Sequence, residues 1–314
     1  MTKFIFTVII KKTGKSADGG KSMIDYILKN DLIEAGVNIR GAELVSLIRK
    51  RDGRQYMWSG DAAYWNRVSP VLFPFVGKLN GQKYQHEGVW YEGIAQHAFA
   101  RDRLFTLIEK SNDTVWLRIS DTEETRQIYP FKFTFWAGYK LSGNKIRVIW
   151  KVCNDSDEKM YFSLGAHPAF MCPGNTKEGC KINLHTSESS VESGTLTADG
   201  VLGEETRVFP LKDGRLEAKE SIFGRDALIL DASQIKKVSL EDAQDKEYLS
   251  VSFDTPLLGI WSPAGKKAPF ICIEPWYGRC DREGFAGSLK EREYGNELEG
   301  GGVFLREYTI EVNI

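Results

Sequence analysis

From Met23 onward, apolar and polar residues alternate with a period of two, in short runs cut by turn residues. That period places every second side chain on one face, the signature of a half-buried strand. Ile24–Leu28 and Leu32–Ile39 are joined by Lys29-Asn30-Asp31. Ala42–Ile48 and Gln55–Trp58 flank Arg51-Asp52-Gly53-Arg54, where Asp-Gly is a strong hairpin signal. Lys83–His86 and Val89–Tyr91 flank Glu87-Gly88. Arg103–Glu109 and Thr114–Ser120 flank Ser111-Asn112-Asp113, and Phe131–Leu141 and Lys145–Val152 flank Ser142-Gly143-Asn144. Turns recur at roughly the 8–12-residue interval of stacked antiparallel sheets. The pattern predicts an all-β chain, a large antiparallel β-sandwich with a few short helices. Asp121–Glu124 reads as a capping box opening a helix that Pro130 stops. Asp61–Asn66 and Leu289–Tyr294 are each expected to make about two helical turns.

One run departs from alternation. Phe270–Ile273 is continuously apolar, as in a strand buried on both faces, and ends at Glu274-Pro275-Trp276-Tyr277-Gly278. Pro275 removes a ladder donor and pushes Glu274 toward extended geometry. A carboxylate at the end of a buried strand, with rings beside it, suits a sugar, whose apolar faces stack and whose hydroxyls need charged partners. The alternative is a strand-end carboxylate that faces water.

Composition narrows the classes. At 42% hydrophobic and 27% charged the chain is globular, and a net charge of -1 gives no footprint for nucleic acid or an anionic membrane. Five cysteines, an odd number without a CxxC pair, signal neither a disulfide framework nor a compact zinc site, so a cytoplasmic setting is expected. No apolar run approaches the roughly 20 residues of a membrane helix. Residues 11–22 are polar and Gly-rich like a linker. Residues 1–22 therefore read as an extension, flexible or not native to the domain, and 23–314 as one domain. The first ten residues do not read as a signal peptide.

Four histidines are available for proton transfer near neutrality. His167 lies in Leu164-Gly-Ala-His-Pro-Ala-Phe170, a small, Gly-containing approach with Pro168 fixing the exit, and His97 lies between two hairpins. His86 reads as a solvated turn residue, and His185 is given no role. Each of His97 and His167 could equally be a satisfied structural histidine. With Glu274 they lie 70 and 107 residues apart, unlike a compact metal motif, and no metal is expected. No G-x-S-x-G elbow supports a serine nucleophile. Further polar candidates are Arg67, Lys78 and Asp226, with Arg279, Asp281 and Arg282 as possible rim charges beyond Glu274.

Five ordered segments resemble the aldose 1-epimerase (galactose mutarotase) family, in its LacX-like branch: Arg40–Leu47, Trp65–Leu79, His97–Asp102, Leu164–Phe170 and Ile273–Trp276. The resemblance implies a β-sandwich with the sugar in a cleft on one concave sheet, and interconversion of the α and β anomers of a free aldose without a cofactor. It implies Glu274 as general base, His167 as general acid, and His97, Asp226, Lys78, Arg67 and Trp276 as substrate-binding groups. The family usually carries Asn-Arg where this chain has Gly77-Lys78. Lysine keeps the charge but loses the bidentate fork. The acid role asks for a raised His167 pKa, which a nearby carboxylate would supply. The expected partner is a monosaccharide, with no nucleic acid or membrane and with a homodimer as a compatible assembly. Three rivals stand beside this reading. They are a non-catalytic sugar-binding protein of the same fold, a hexose-6-phosphate mutarotase drawing on Lys78, Arg101, Arg279 and Arg282, and a glycoside hydrolase or lyase on a similar sandwich. The last would need a second catalytic carboxylate.

Overall fold

The computed structural model describes residues 24–314. The reading of residues 1–22 as an extension lies outside them. The described chain forms two large sheets, and every ladder between named strands is antiparallel. One sheet has nine strands, in the spatial order Arg215–Glu217, Lys181–Asn183, Lys237–Glu241, Glu247–Phe253, Val303–Val312, Lys145–Asn154, Phe133–Ser142, Thr114–Ser120 and Thr106–Lys110. The other runs Leu202–Pro210, Ser190–Leu196, Leu228–Asp231, Leu257–Trp261, Phe270–Tyr277, Leu164–Ala166 and Val71–Leu72, with Ala169–Met171 also paired to Phe270–Tyr277. A four-stranded sheet, Tyr26–Lys29 to Arg54–Gln55, and two two-stranded pairs, the hairpin Tyr84–His86 with Val89–Tyr91 and the long-range pair Met160–Phe162 with Asn296–Leu298, complete the strands.

Alternation decides which side chains meet. Along Lys145–Asn154 the residues Ile146, Val148, Trp150 and Val152 are buried while their neighbours are partly exposed. Ile271 and Ile273 from the second sheet join them in one core. At about 25 cal/mol per Å² of apolar surface removed from water, this continuous core is the dominant stabilising term. The even-numbered residues of the same strand, Cys272, Glu274 and Trp276, point to the opposite face. That face carries two smaller apolar clusters, one around Trp276 and one around Trp58, Phe270 and Cys272.

All five predicted hairpins form, with ends shifted by a few residues. The helices are corrected. The only α-helix among the described residues is Glu123–Ile128, capped by Thr122, whose hydroxyl accepts from the Thr125 N–H, so the box lies one residue later than Asp121–Glu124. Asp61–Asn66 makes a single turn, because the Asp61 side chain accepts the Ala63 N–H at 2.9 Å and the Trp58 indole N–H takes the Trp65 carbonyl. Leu289–Glu291 is one 3₁₀ turn with Ser288 and Glu291 as its box.

Candidate active site

Both His167 and Glu274 precede a proline, and the two lie side by side for that reason. Leu164 and Gly165 pair with Tyr277 and Trp276, and Ala169–Met171 pair with Cys272–Phe270. The ladder is therefore interrupted where Ala166-His167-Pro168 faces Ile273-Glu274-Pro275. Proline is tolerated inside a sheet only where a donor is not required, and the break supplies that place. Across it, His167 Nε2 lies 3.4 Å from Glu274 Oε1. Glu274 is 1% exposed, and neither of its oxygens has a hydrogen-bond partner.

A cavity of about 230 Å³ opens over this pair. Its lining includes Trp65, Gln96, His97, Arg101, Asp226, Trp261 and Trp276. Trp276 lies flat on the sheet because glycines flank it: a Cβ on Gly259 would sit 2.5 Å from its ring, and one on Gly165 2.7 Å. Its indole N–H donates to the Ala166 carbonyl at 3.2 Å. His97 is clamped by Gly77, whose N–H donates to His97 Nδ1 at 3.0 Å and whose carbonyl accepts the His97 N–H at 2.9 Å. An accepting Nδ1 carries no proton, so His97 is neutral with its hydrogen on Nε2. Gly77 has φ +73° and its Cβ would lie 2.6 Å from Cys280. No side chain fits there without moving Cys280.

Burial sets the protonation states. It pushes the Glu274 carboxyl well above its ordinary range, with the Asp226 carboxylate adding to the effect. It pushes the His167 imidazole down to about 3, with the charges of Arg101 and Arg67 acting in the same sense. His97 is likewise held well below 6.5 by burial and then by its neighbours His167, Arg101 and Arg67. The expectation that the site raises the His167 pKa is therefore overturned, since desolvation dominates and two arginines add to it. Burial thus favours the neutral form of both groups.

The other expected residues divide. Trp276, His97 and Asp226 line the cavity, Asp226 in a left-handed turn with φ +70°. Lys78 does not line it. Its side chain runs along Gly200 at the rim. Arg67 does not line it either and is held by Asp102 at 2.8 Å. Arg279 and Arg282 both pair with Glu293, and Asp281 is buried against Arg292 at 2.7 Å, so none of the three lines the cavity. His86 is half-buried against Phe131, at 4.8 Å between rings, rather than solvated. Sequence reasoning gave no role to Gln96 or Trp261, and Trp65 entered only as part of a motif. No sequence period marks these positions, because loops and a separate strand bring them in. A larger groove of about 540 Å³ near Lys177 and Lys181 is a weaker candidate, since its lysines are paired with Glu220 and Asp245.

The model of the aldose 1-epimerase family matches residues 25–287. The chain belongs to that family. Protein LacX (plasmid) of Lactococcus lactis subsp. lactis is 33% identical over 282 residues, which is 87% of this chain and 91% of that one. A galactose mutarotase related enzyme from Lactobacillus acidophilus is 32% identical, with a TM-score of 0.86, covering 93% of this chain and 98% of its own. A galactose mutarotase-like protein from Lactobacillus casei is 30% identical, also at a TM-score of 0.86, covering 92% and 99%. The β-sandwich expected from the hairpin pattern is the fold of this aldose 1-epimerase family member and of those relatives. Among the described residues no helix is long and apolar enough to cross a membrane.

Proposed function

We propose that this family member is an aldose 1-epimerase acting on a free monosaccharide. The observation that carries the reading is the 3.4 Å approach of His167 to the unpartnered carboxyl of Glu274, buried under a sugar-sized cavity. At about 230 Å³ the space is smaller than the roughly 300–1,000 Å³ typical of drug-sized sites and suits one ring rather than an oligosaccharide.

Mutarotation removes the proton of the C1 hydroxyl and delivers one to the ring oxygen, then reverses both transfers after rotation about C1–C2. It consumes no net proton. The reaction requires the pair to hold one proton, and carboxylic acid with imidazole and carboxylate with imidazolium differ only in where that proton sits. Sugar hydroxyls entering the cavity solvate the charged form, in which Glu274 takes the C1 hydroxyl proton and His167 protonates the ring oxygen. His97 offers an Nε2–H donor to the sugar, Asp226 and Arg101 offer polar partners for its hydroxyls, and Trp276 offers a flat apolar floor.

Two rivals are disfavoured by specific contacts. Of the four cations assembled for a phosphate, only Arg101 lines the cavity, and Arg279 and Arg282 are committed to Glu293. A non-catalytic binding protein would have no use for a buried acid with both oxygens unpartnered, since such a group costs stability. The test is polarimetry of a freshly dissolved pure anomer, for free and 6-phosphorylated hexoses. Each proton-transfer partner typically contributes about 10²–10⁴ in rate, so Glu274→Gln is expected to lose that much. Sugar binding without faster mutarotation would overturn the reading, as would an unchanged rate in Glu274→Gln.

A further inference from the structure

Cys272 has no part in that reaction, yet it lies on the same strand face as Glu274, two residues away, and is fully buried. A ring nitrogen of His167, the Cys272 sulfur and a Glu274 oxygen all lie within 4.8 Å of one another. We infer that these three side chains form a binding site for a borderline-soft divalent cation of the zinc class, and that the ion blocks the acid–base pair when bound.

The donor set is one nitrogen, one sulfur and one oxygen, which selects zinc-class ions over magnesium or calcium, since those take oxygen ligands. Zinc–ligand bonds of about 2.0–2.3 Å put tetrahedral neighbours roughly 3.3–3.7 Å apart. The His167–Glu274 separation of 3.4 Å already falls in that range. Charge favours the ion as well. A buried dication is costly unless compensated, and one thiolate with one carboxylate cancels it, the displaced protons leaving to solvent. Both Glu274 oxygens lack hydrogen-bond partners in the protein, so coordination through them displaces none. His167 and Glu274 both line the cavity, so a water or a sugar hydroxyl from it could complete the shell. An ion there holds Glu274 deprotonated and takes the imidazole lone pair, so neither can exchange a proton with a sugar.

The binding half of this inference stands without the mutarotase reading, and the inhibition half rests on it. The full-length protein, stripped with a chelator, is titrated with zinc by calorimetry and with cadmium in the ultraviolet, where a thiolate ligand gives a charge-transfer band. One ion per chain is expected at this site. Cys272→Ala is expected to weaken zinc by more than about 100-fold, beyond the 10–100-fold typical of losing a supporting partner, and to abolish the cadmium band. Cys153→Ala, at a thiol outside the cluster, should change neither. Glu274→Gln, which keeps side-chain shape, is a second binding variant should Cys272→Ala fail to fold. In polarimetry, equimolar zinc should slow the wild type, chelator should restore it, and Cys272→Ala should keep its rate at the same zinc concentration. Equal zinc affinity in wild type and Cys272→Ala, or no cadmium band in the wild type, would overturn the site. Tight, Cys272-dependent binding that leaves a measurable mutarotation rate unaffected would overturn the inhibition. Absence of any mutarotation would instead remove the proposed function and leave the site to be judged by binding alone.

Discussion

The imidazole of His167 lies flat against the indole of Trp65, with ring centroids 4.7 Å apart and planes 28° from parallel. Trp261 meets the same ring edge-on at 5.4 Å, and His97 does so at 5.8 Å. Aromatic walls of this kind fix orientation and exclude water, and exclusion of water is what depresses the imidazole pKa. Trp65→Ala is therefore expected to move the His167 pKa up from about 3, toward the ordinary 6.5, as read by NMR titration of the ring. Trp65→Phe, which keeps a stacked ring, should shift it much less. An unmoved pKa in Trp65→Ala would show that burial comes from elsewhere.

The Glu274–His167 pair imposes a definite pH profile on stability. In the folded protein the Glu274 pKa is raised and the His167 pKa is lowered to about 3. The unfolded chain holds two protons below about 4.5, one between about 4.5 and 6.5, and none above. Between about 4.5 and 6.5 the two contributions oppose each other. The His167 contribution is lost as the pH falls from about 6.5 toward its folded value of about 3, and the Glu274 contribution is lost as the pH rises from about 4.5 through its raised folded value. The limiting slope is about 1.4 kcal/mol per pH unit on either side. Denaturant unfolding from pH 3.5 to 8, compared with a Glu274→Gln/His167→Asn double variant, measures it. Identical profiles for the two proteins would contradict these protonation states.

Gly259 admits the ring of Trp276, and a methyl group there would lie 2.5–3.0 Å from three ring carbons. Gly259→Ala is expected to tilt the indole into the cavity. Overpacking of this kind costs typically about 1–3 kcal/mol, visible as a lower denaturation midpoint, with weaker sugar binding besides. A variant with wild-type stability and affinity would mean that the ring has room to move.

His97 adopts φ +63°, a left-handed conformation that asparagine tolerates better than most residues. His97→Asn should therefore fold while losing the Nε2–H donor and the acceptor for the Gly77 N–H. A hydrogen bond is worth about 0.5–1.5 kcal/mol net, so KM should rise by roughly 3- to 10-fold. KM unchanged within error would remove His97 from the sugar contacts.

Alternation and turn chemistry in this chain determine its local structure, because both act between neighbours in sequence. Asp52-Gly53 and Gly143-Asn144 close hairpins where their backbone preferences dictate, and the buried run Phe270–Ile273 becomes a strand in the middle of a sheet. Glu274 and His167 were legible as a pair through the ordered motifs, each marked by the proline that follows it. Asp61–Asn66 was misread because two contacts, one from Asp61 itself and one from Trp58, compete with a helix. What the chain order does not contain is which side chains share a cavity. Arg279 and Arg282 follow Glu274 closely and are drawn away by Glu293, whereas Trp261 and Gln96, far from it in sequence, converge on it. Desolvation likewise exists only once the sheets have packed. For that reason the raised Glu274, the lowered His167 and the approach of Cys272 to both were decided by the tertiary structure alone.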